Sequence, residues 1–201
     1  MGIPILVMGE SGSGKSTSLR NFDPEEVGVF NVAAKPLPFR KKLKSVNGAS
    51  YNSILKTLSQ PKLKCYVIDD SQYLMAFEAF DRAKETGYGK FTDIAVNFTG
   101  LVRYCTNNLP ADVLVYFLHH IDTSDTGKTR AKTSGKMIDN QLTLEGLFSV
   151  VLLCKTDGTR HYFETQSDGF STAKSPIDMF PKEIDNDLKY VDTVIREYWG
   201  L

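Results

Sequence analysis

The residues best equipped for chemistry stand near the start of the chain. Gly9, Glu10, Ser11, Gly12, Ser13, Gly14, Lys15 and Ser16 follow the spacing GxxxxGK[ST], with Thr17 directly behind them. Glycines let the backbone turn tightly enough for successive N–H groups to converge on one anion. Lys15 can place an ammonium on terminal phosphates, and the Ser16 hydroxyl can ligate Mg²⁺. A helix beginning at Lys15 would add the positive end of its dipole. The chemistry expected of residues 9–17 is therefore the holding of a triphosphate, with ATP and Mg²⁺ as ligands. Further on, Cys65-Tyr66-Val67-Ile68-Asp69 is an apolar run ending in a carboxylate. Such a carboxylate can hold Mg²⁺ through water opposite Ser16, making Ser16 and Asp69 the expected metal-side pair. Asp70 can either activate the attacking water or help Ser71 cap the next helix. His119 and His120 close another apolar run, and His120 is expected to sense the terminal phosphate while its neighbour packs. No ligands at metal spacing surround these histidines. The expected catalytic set is Lys15, Asp69, Asp70 and His120.

These residues need strands that end together. Residues 3–8 read as a buried strand, followed by the glycine turn and a helix over 15–22. Strands are expected at 27–33, 64–69, 113–119 and 149–155, the fourth (113–119) apolar throughout, as a strand covered on both faces must be. Helices are expected over 51–58, from a Ser71 cap to about residue 85, behind a Thr92 cap to Leu109, and over 142–148. Asp157-Gly158 predicts a hairpin turn into an antiparallel strand over 160–166. Ile184, Leu188, Val191, Ile195 and Tyr198 share one face of a closing helix. Alternating strands and helices imply an α/β sandwich with a mostly parallel central sheet and an antiparallel strand near the C-terminal end. Ligands bind such sheets beyond the carboxyl ends of the strands. Those ends are residues 9–16, Asp69-Asp70 and His119-His120.

The chain of 201 residues suits a single domain, 1–201, around one sizeable core. Lys+Arg and Asp+Glu both number 24, so any preference for nucleic acid must come from local clusters. Cys65, Cys105 and Cys154 have no CxxC spacing and lie in apolar stretches, which predicts free buried thiols in a reducing compartment. The first residues lack the basic start of a signal peptide, and no stretch approaches ~18 uninterrupted apolar residues. A cytoplasmic protein without membrane contact is expected.

Taken together, residues 9–17, Val67-Ile68-Asp69-Asp70-Ser71, Phe117-Leu118-His119-His120 and Thr133-Ser134-Gly135-Lys136-Met137 resemble the RecA-like P-loop NTPase core. With Leu144-Glu145-Gly146-Leu147-Phe148 and Thr172-Ala173-Lys174-Ser175-Pro176, the likeness extends to small phage-encoded AAA-type ATPases of single-strand annealing and recombination. The resemblance spans nearly the whole chain, though only the two phosphate-site motifs are specific by themselves. It implies a three-layer core, ATP hydrolysis, and assembly into a ring or filament with ATP between subunits. It also implies single-stranded DNA contacts from loops 86–91 and 122–136. There Lys90 and Phe91, and Lys128, Arg130, Lys132 and Lys136, supply cations for phosphates and a ring for stacking. Lys174 is where such cores can send a basic side chain into a neighbour's γ-phosphate. One departure matters: the family usually carries a catalytic glutamate after the second strand, and here that stretch is Val32-Ala33-Ala34-Lys35. Hydrolysis must then draw on another carboxylate, such as Asp70, or be slow.

Other functions fit parts of the pattern. An ATP-gated assembly scaffold that barely hydrolyses would need no glutamate. A GTPase would read guanine through Cys154-Lys155-Thr156-Asp157, a poor match to [NT]KxD, and no DxxG follows Asp69. A small-molecule kinase would want an arginine-rich lid, and loop 122–136 offers only Arg130. The basic segment 35–44 and the acidic residues Glu183, Asp185, Asp187 and Asp192 could meet head to tail in an assembly or simply be solvated.

Overall fold

The computed structural model describes residues 1–124, 127–135, 138 and 141–201. Its centre is a mixed, mostly parallel sheet. Strands β1 (Ile3–Gly9), β2 (Val27–Asn31), β3 (Lys44–Asn47), β4 (Cys65–Asp69), β5 (Leu114–Thr123), β6 (Thr129–Ala131), β7 (Val150–Thr156), β8 (His161–Glu164) and β9 (Glu183–Asp185) make it up. Across the sheet the order is β3-β2-β4-β5-β1-β7-β8-β9, with β6 paired antiparallel to β5. The run from β3 to β7 is parallel, while β8 and β9 are antiparallel additions.

Inner strands are apolar on both faces because both are covered. Along β1, Leu6 and Met8 enter one core, while Ile5 and Val7 enter the other, the period of two that a pleated strand imposes. The first core packs under α1 (Tyr51–Leu58), α2 (Gln72–Asp81) and α3 (Gly89–Asn108), through Ile54, Leu74, Met75, Ile94, Phe98 and Leu101. The second packs under a short 3-10 helix (Ser16–Asn21) and α4 (Leu188–Trp199), through Leu19, Leu188, Val191 and Ile195. Three layers result.

Several expected elements are corrected. The helix after the glycine turn is one 3-10 segment, Ser16–Asn21, because Phe22 turns extended to enter the second core. Residues 142–148 yield only a 3-10 turn, Leu144–Leu147. Ser71 makes no capping hydrogen bond: its hydroxyl turns to the Leu118 carbonyl and the His119 ring. Thr92 is not a cap, since α3 already begins at Gly89. Ile184 belongs to β9 and not to the last helix, which starts behind the Asp187 cap. The exposed edge strand β3 begins at Lys44, the last cation of the basic run, and has no apolar alternation to announce it. Cys65, Cys105 and Cys154 are free and buried, as expected.

Candidate functional site

Register brings the strand ends together. Gly9 pairs with His120 on one side and Cys154 on the other, while Asn31 pairs with Asp69. Strand β5 lies between β1 and β4, so the His120 tip stands between the glycine loop and the two aspartates. The loop itself is tightly braced. Gly14 has φ 103°, and a Cβ there would meet the His161 ring at 2.9 Å. His161 Nδ1 lies 2.7 Å from the Ser13 carbonyl, and the Cys154 thiol donates to the same oxygen. Asn186, two residues before α4, donates to the Gly14 carbonyl and receives Arg20 from the 3-10 helix. Asn186 and His161 are site-supporting residues that sequence motifs do not mark, because both reach the loop only through the antiparallel end of the sheet.

Around this loop a cavity of about 240 Å³ is lined by Ser11, Gly12, Gly14, Lys15, Ser16 and Thr17, facing Lys35, Asp69, Asp70 and His120 across it. Lys15 is buried, and its ammonium donates to the carbonyls of Gly9 and Glu10, 2.8 Å each. Burial pulls its pKa down, against the nearby carboxylates. The Ser16 hydroxyl donates to Asp69 Oδ1 at 2.8 Å, across 53 residues of sequence. Burial holds the Asp69 carboxyl above its ordinary range, opposed by the Ser16 hydrogen bond and reinforced by the charge of Asp70. Two adjoining hard oxygen donors, one a carboxylate, fit Mg²⁺, which keeps most of its waters and takes few protein ligands. Among the described residues there is no group of three or more His, Cys, Asp or Glu that could hold a metal ion.

Asp70 faces the cavity in an uncommon conformation, φ 59°. Its Oδ1 lies 3.1 Å from His120 Nε2, and its Oδ2 pairs with the Lys35 ammonium at 2.6 Å. Burial pushes the Asp70 carboxyl up, but hydrogen bonds from His120 and Lys35 outweigh it and hold the pKa low. The Asp70 hydrogen bond holds the Lys35 ammonium above its ordinary range. Lys35 reaches this place from a strained corner: Ala34 has φ 53°, and Asn31 Nδ2 grips the Lys35 carbonyl at 2.6 Å. Among the described residues three non-glycine residues have positive φ, and two of them, Asp70 itself and Ala34 beside Lys35, belong to this ion pair and its approach. Such strain costs of order 1–3 kcal/mol per residue and gathers at functional sites. In the sequence this stretch stands out by its missing glutamate and as the start of the basic segment 35–44, and Lys35 is not among the expected site residues.

The two histidines divide their roles. His119 is fully buried, donating from Nε2 to the Lys132 carbonyl (2.8 Å), which leaves Nδ1 to accept from Ser71 (2.9 Å). Burial pushes its pKa down to about 4. His120 lines the cavity and meets the Tyr73 ring edge-on.

The expected nucleic-acid residues differ in exposure. Phe91 is partly buried against the first core and against Gly135, and the Lys90 ammonium folds onto carbonyls of Arg82 and Glu85. Tyr88, at 87% exposure, is the bare ring of that loop. Loop 122–136 is partly a β5–β6 hairpin on which Lys128, Arg130 and Lys132 are exposed, with Arg130 facing Asp122 at 3.5 Å. Lys136 lies outside the described residues. Lys174 bridges to Val151 through its backbone, at the β7 side of the sheet. Among the described residues no helix is long and apolar enough to cross a membrane.

No protein-family model matches the chain, and none of the curated proteins matches it.

Proposed function

We propose that this chain is a RecA-like P-loop ATPase that binds Mg-ATP on residues 9–17 and hydrolyses it slowly. One observation carries the reading: a buried lysine under a glycine loop, with the next residue's hydroxyl meeting a strand-end carboxylate at 2.8 Å. In that reading Lys15 exchanges two carbonyl partners for phosphate oxygens, and the loop N–H groups take the rest of the charge. Ser16 and Asp69 would hold Mg²⁺, which supplies charge neutralisation between the terminal phosphates. Raising of the Asp69 pKa by burial suits a carboxylate that gains stability from a cation.

Asp70 is the carboxylate best placed to accept a proton from attacking water, with His120 and Lys35 as its positioning partners. Both of its oxygens are engaged, so it is a restrained base. A terminal phosphate entering the cavity would compete for the Lys35 ammonium and release Oδ2. Triphosphate binding would thereby free the base. The same restraint favours the second reading, an ATP-gated scaffold with little turnover. Single-turnover hydrolysis separates them: Asp70→Asn should lose at least about tenfold in rate if Asp70 is the base. Equal measurable rates would remove Asp70 as the base, and no turnover in either would favour the scaffold.

A GTPase is disfavoured by the partners of its would-be guanine reader. Cys154 is bound to Ser13, Lys155 pairs with Glu164, and Asp157 closes its own turn through Thr159 and Arg160. Assembly into a ring or filament, action on single-stranded DNA through Lys128, Arg130, Lys132 and Tyr88, and a trans role for Lys174 extend the proposal. They rest on the resemblance and on exposed charge. A cytoplasmic setting accords with free thiols.

A further inference from the structure

Among the described residues no strand covers the two edges of the central sheet, β3 on one side and β9 on the other. These edge strands run in the same direction. Every neighbouring pair from β3 to β7 is parallel, and the two antiparallel steps to β8 and β9 restore the original sense. All four residues of β3 are exposed, as are Glu183 and Asp185 of β9. Hydrogen bonds at the strand ends fix which backbone groups face outward. Gly48 N–H donates to the Asn31 carbonyl, which turns the backbone of Lys44 and Val46 towards β2 and that of Ser45 and Asn47 away from it. Thr165 N–H donates to the Lys182 carbonyl, so the backbone of Ile184 faces β8 while that of Glu183 and Asp185 faces outward.

The two edges also differ in charge. Arg40, Lys41, Lys42 and Lys44 lead into β3, whereas Glu183 and Asp185 stand on β9 with Asp187 just behind. A groove of about 430 Å³ beside β9 is lined by these three carboxylates and the Tyr190 ring, with Arg160 as its cation. Lys44 pairs with Glu25, and Arg160 with Glu183, but these are exposed pairs of a kind that contributes little and exchanges readily.

We propose that β3 of a second copy adds to β9 as a parallel strand, so that the sheet continues from chain to chain. Ser45 N–H of the added copy donates to the Glu183 carbonyl, and Asp185 N–H donates to the Ser45 carbonyl. This register sets Lys44 opposite Glu183; a slip of two residues would set Val46 there and forfeit the charge pair. Main-chain bonds supply affinity, and opposite charge selects the partner edge. The contact is heterologous, and each added copy presents a fresh β9 edge. It stands apart from the nucleotide reading and needs no nucleotide.

The test is sedimentation velocity of the full chain without nucleotide, from about 10 to about 200 μM, at low salt and at roughly 0.5 M NaCl, where exposed charges are screened. Mass should rise above 22.5 kDa with concentration at low salt and fall back at high salt. Lys44→Glu and Glu183→Lys should each weaken association about tenfold, and the double exchange should restore it to within about threefold of wild type. Both side chains are exposed, so the variants should fold as the wild type does. A single-chain mass at every concentration, single variants that associate like the wild type, or a double exchange that restores nothing would each overturn the proposal.

Discussion

Lys35 and Lys15 are two ammonium groups facing one cavity with different partners, and that difference can be measured. Lys15 rests on neutral carbonyls, so replacing it removes the main cation available to a phosphate. Lys15→Ala should reduce Mg-ATP affinity by about a hundredfold or more, read with a fluorescent nucleotide, in line with the loss of a buried charge-assisted contact of 3–5 kcal/mol. Lys35, 61% exposed and paired with Asp70, should matter for the terminal phosphate alone. Lys35→Ala is expected to weaken ATP about tenfold and ADP much less; equal loss for both would deny it that role. His119 yields a pH prediction. Its folded pKa, about 4, lies below the unfolded value near 6.5 because burial excludes the charged ring. The unfolded chain therefore binds the extra proton between those values, so stability falls as pH drops through that window and is flat in this group above it. The full swing is roughly 3 kcal/mol. Urea midpoints measured from pH 7 to pH 4.5 should show this slope, and His119→Gln should flatten it.

At the scale of elements, the N-terminal end of α4 does two jobs. Asp187 caps the helix by accepting from Lys189 N–H at 2.9 Å, and its other oxygen accepts from Asn21 at the end of the 3-10 helix. Asn186 holds the Gly14 carbonyl and Arg20. The C-terminal helix is thus a brace for the loop that the N-terminal strand presents. Asp187→Ala should cost about 1 kcal/mol in urea unfolding, the usual worth of a cap. Asn186→Ala should weaken nucleotide binding several-fold through loop position, an effect of the kind that arises when ligand-orienting contacts loosen. Wild-type affinity in Asn186→Ala would show that the loop is set by its glycines and His161 alone.

For the whole molecule, net charge is zero, so any attraction for nucleic acid must come from local clusters, of which the exposed hairpin cations are one. Changing Lys128 and Lys132 together to alanine should lower single-strand affinity and reduce the slope of log K against log salt by about 1–2, as lost phosphate contacts do. Unaltered salt dependence would remove the hairpin from any nucleic-acid surface. Light scattering with an ATP analogue and a short oligonucleotide reads assembly directly: a mass that never exceeds the monomer argues against a ring or filament.

The tight glycine loop was legible because its turn is local. Turn, lysine and hydroxyl follow one another in the chain. The inner strands were legible too, since burial on both faces forces unbroken apolar runs. Tertiary structure alone decided how Asp70 and His120, expected at the strand ends, meet each other and the unexpected Lys35. Asp70, Lys35 and His120 come from three different strand ends, and only the β2-β4-β5-β1 order makes them neighbours. The same holds for Ser71, which resembles a cap in sequence but bonds to β5 once that strand lies beside it. Residues whose partners are a few positions away announce themselves. Those whose partners arrive through the sheet have energies fixed by distance in space, which the order of residues does not carry.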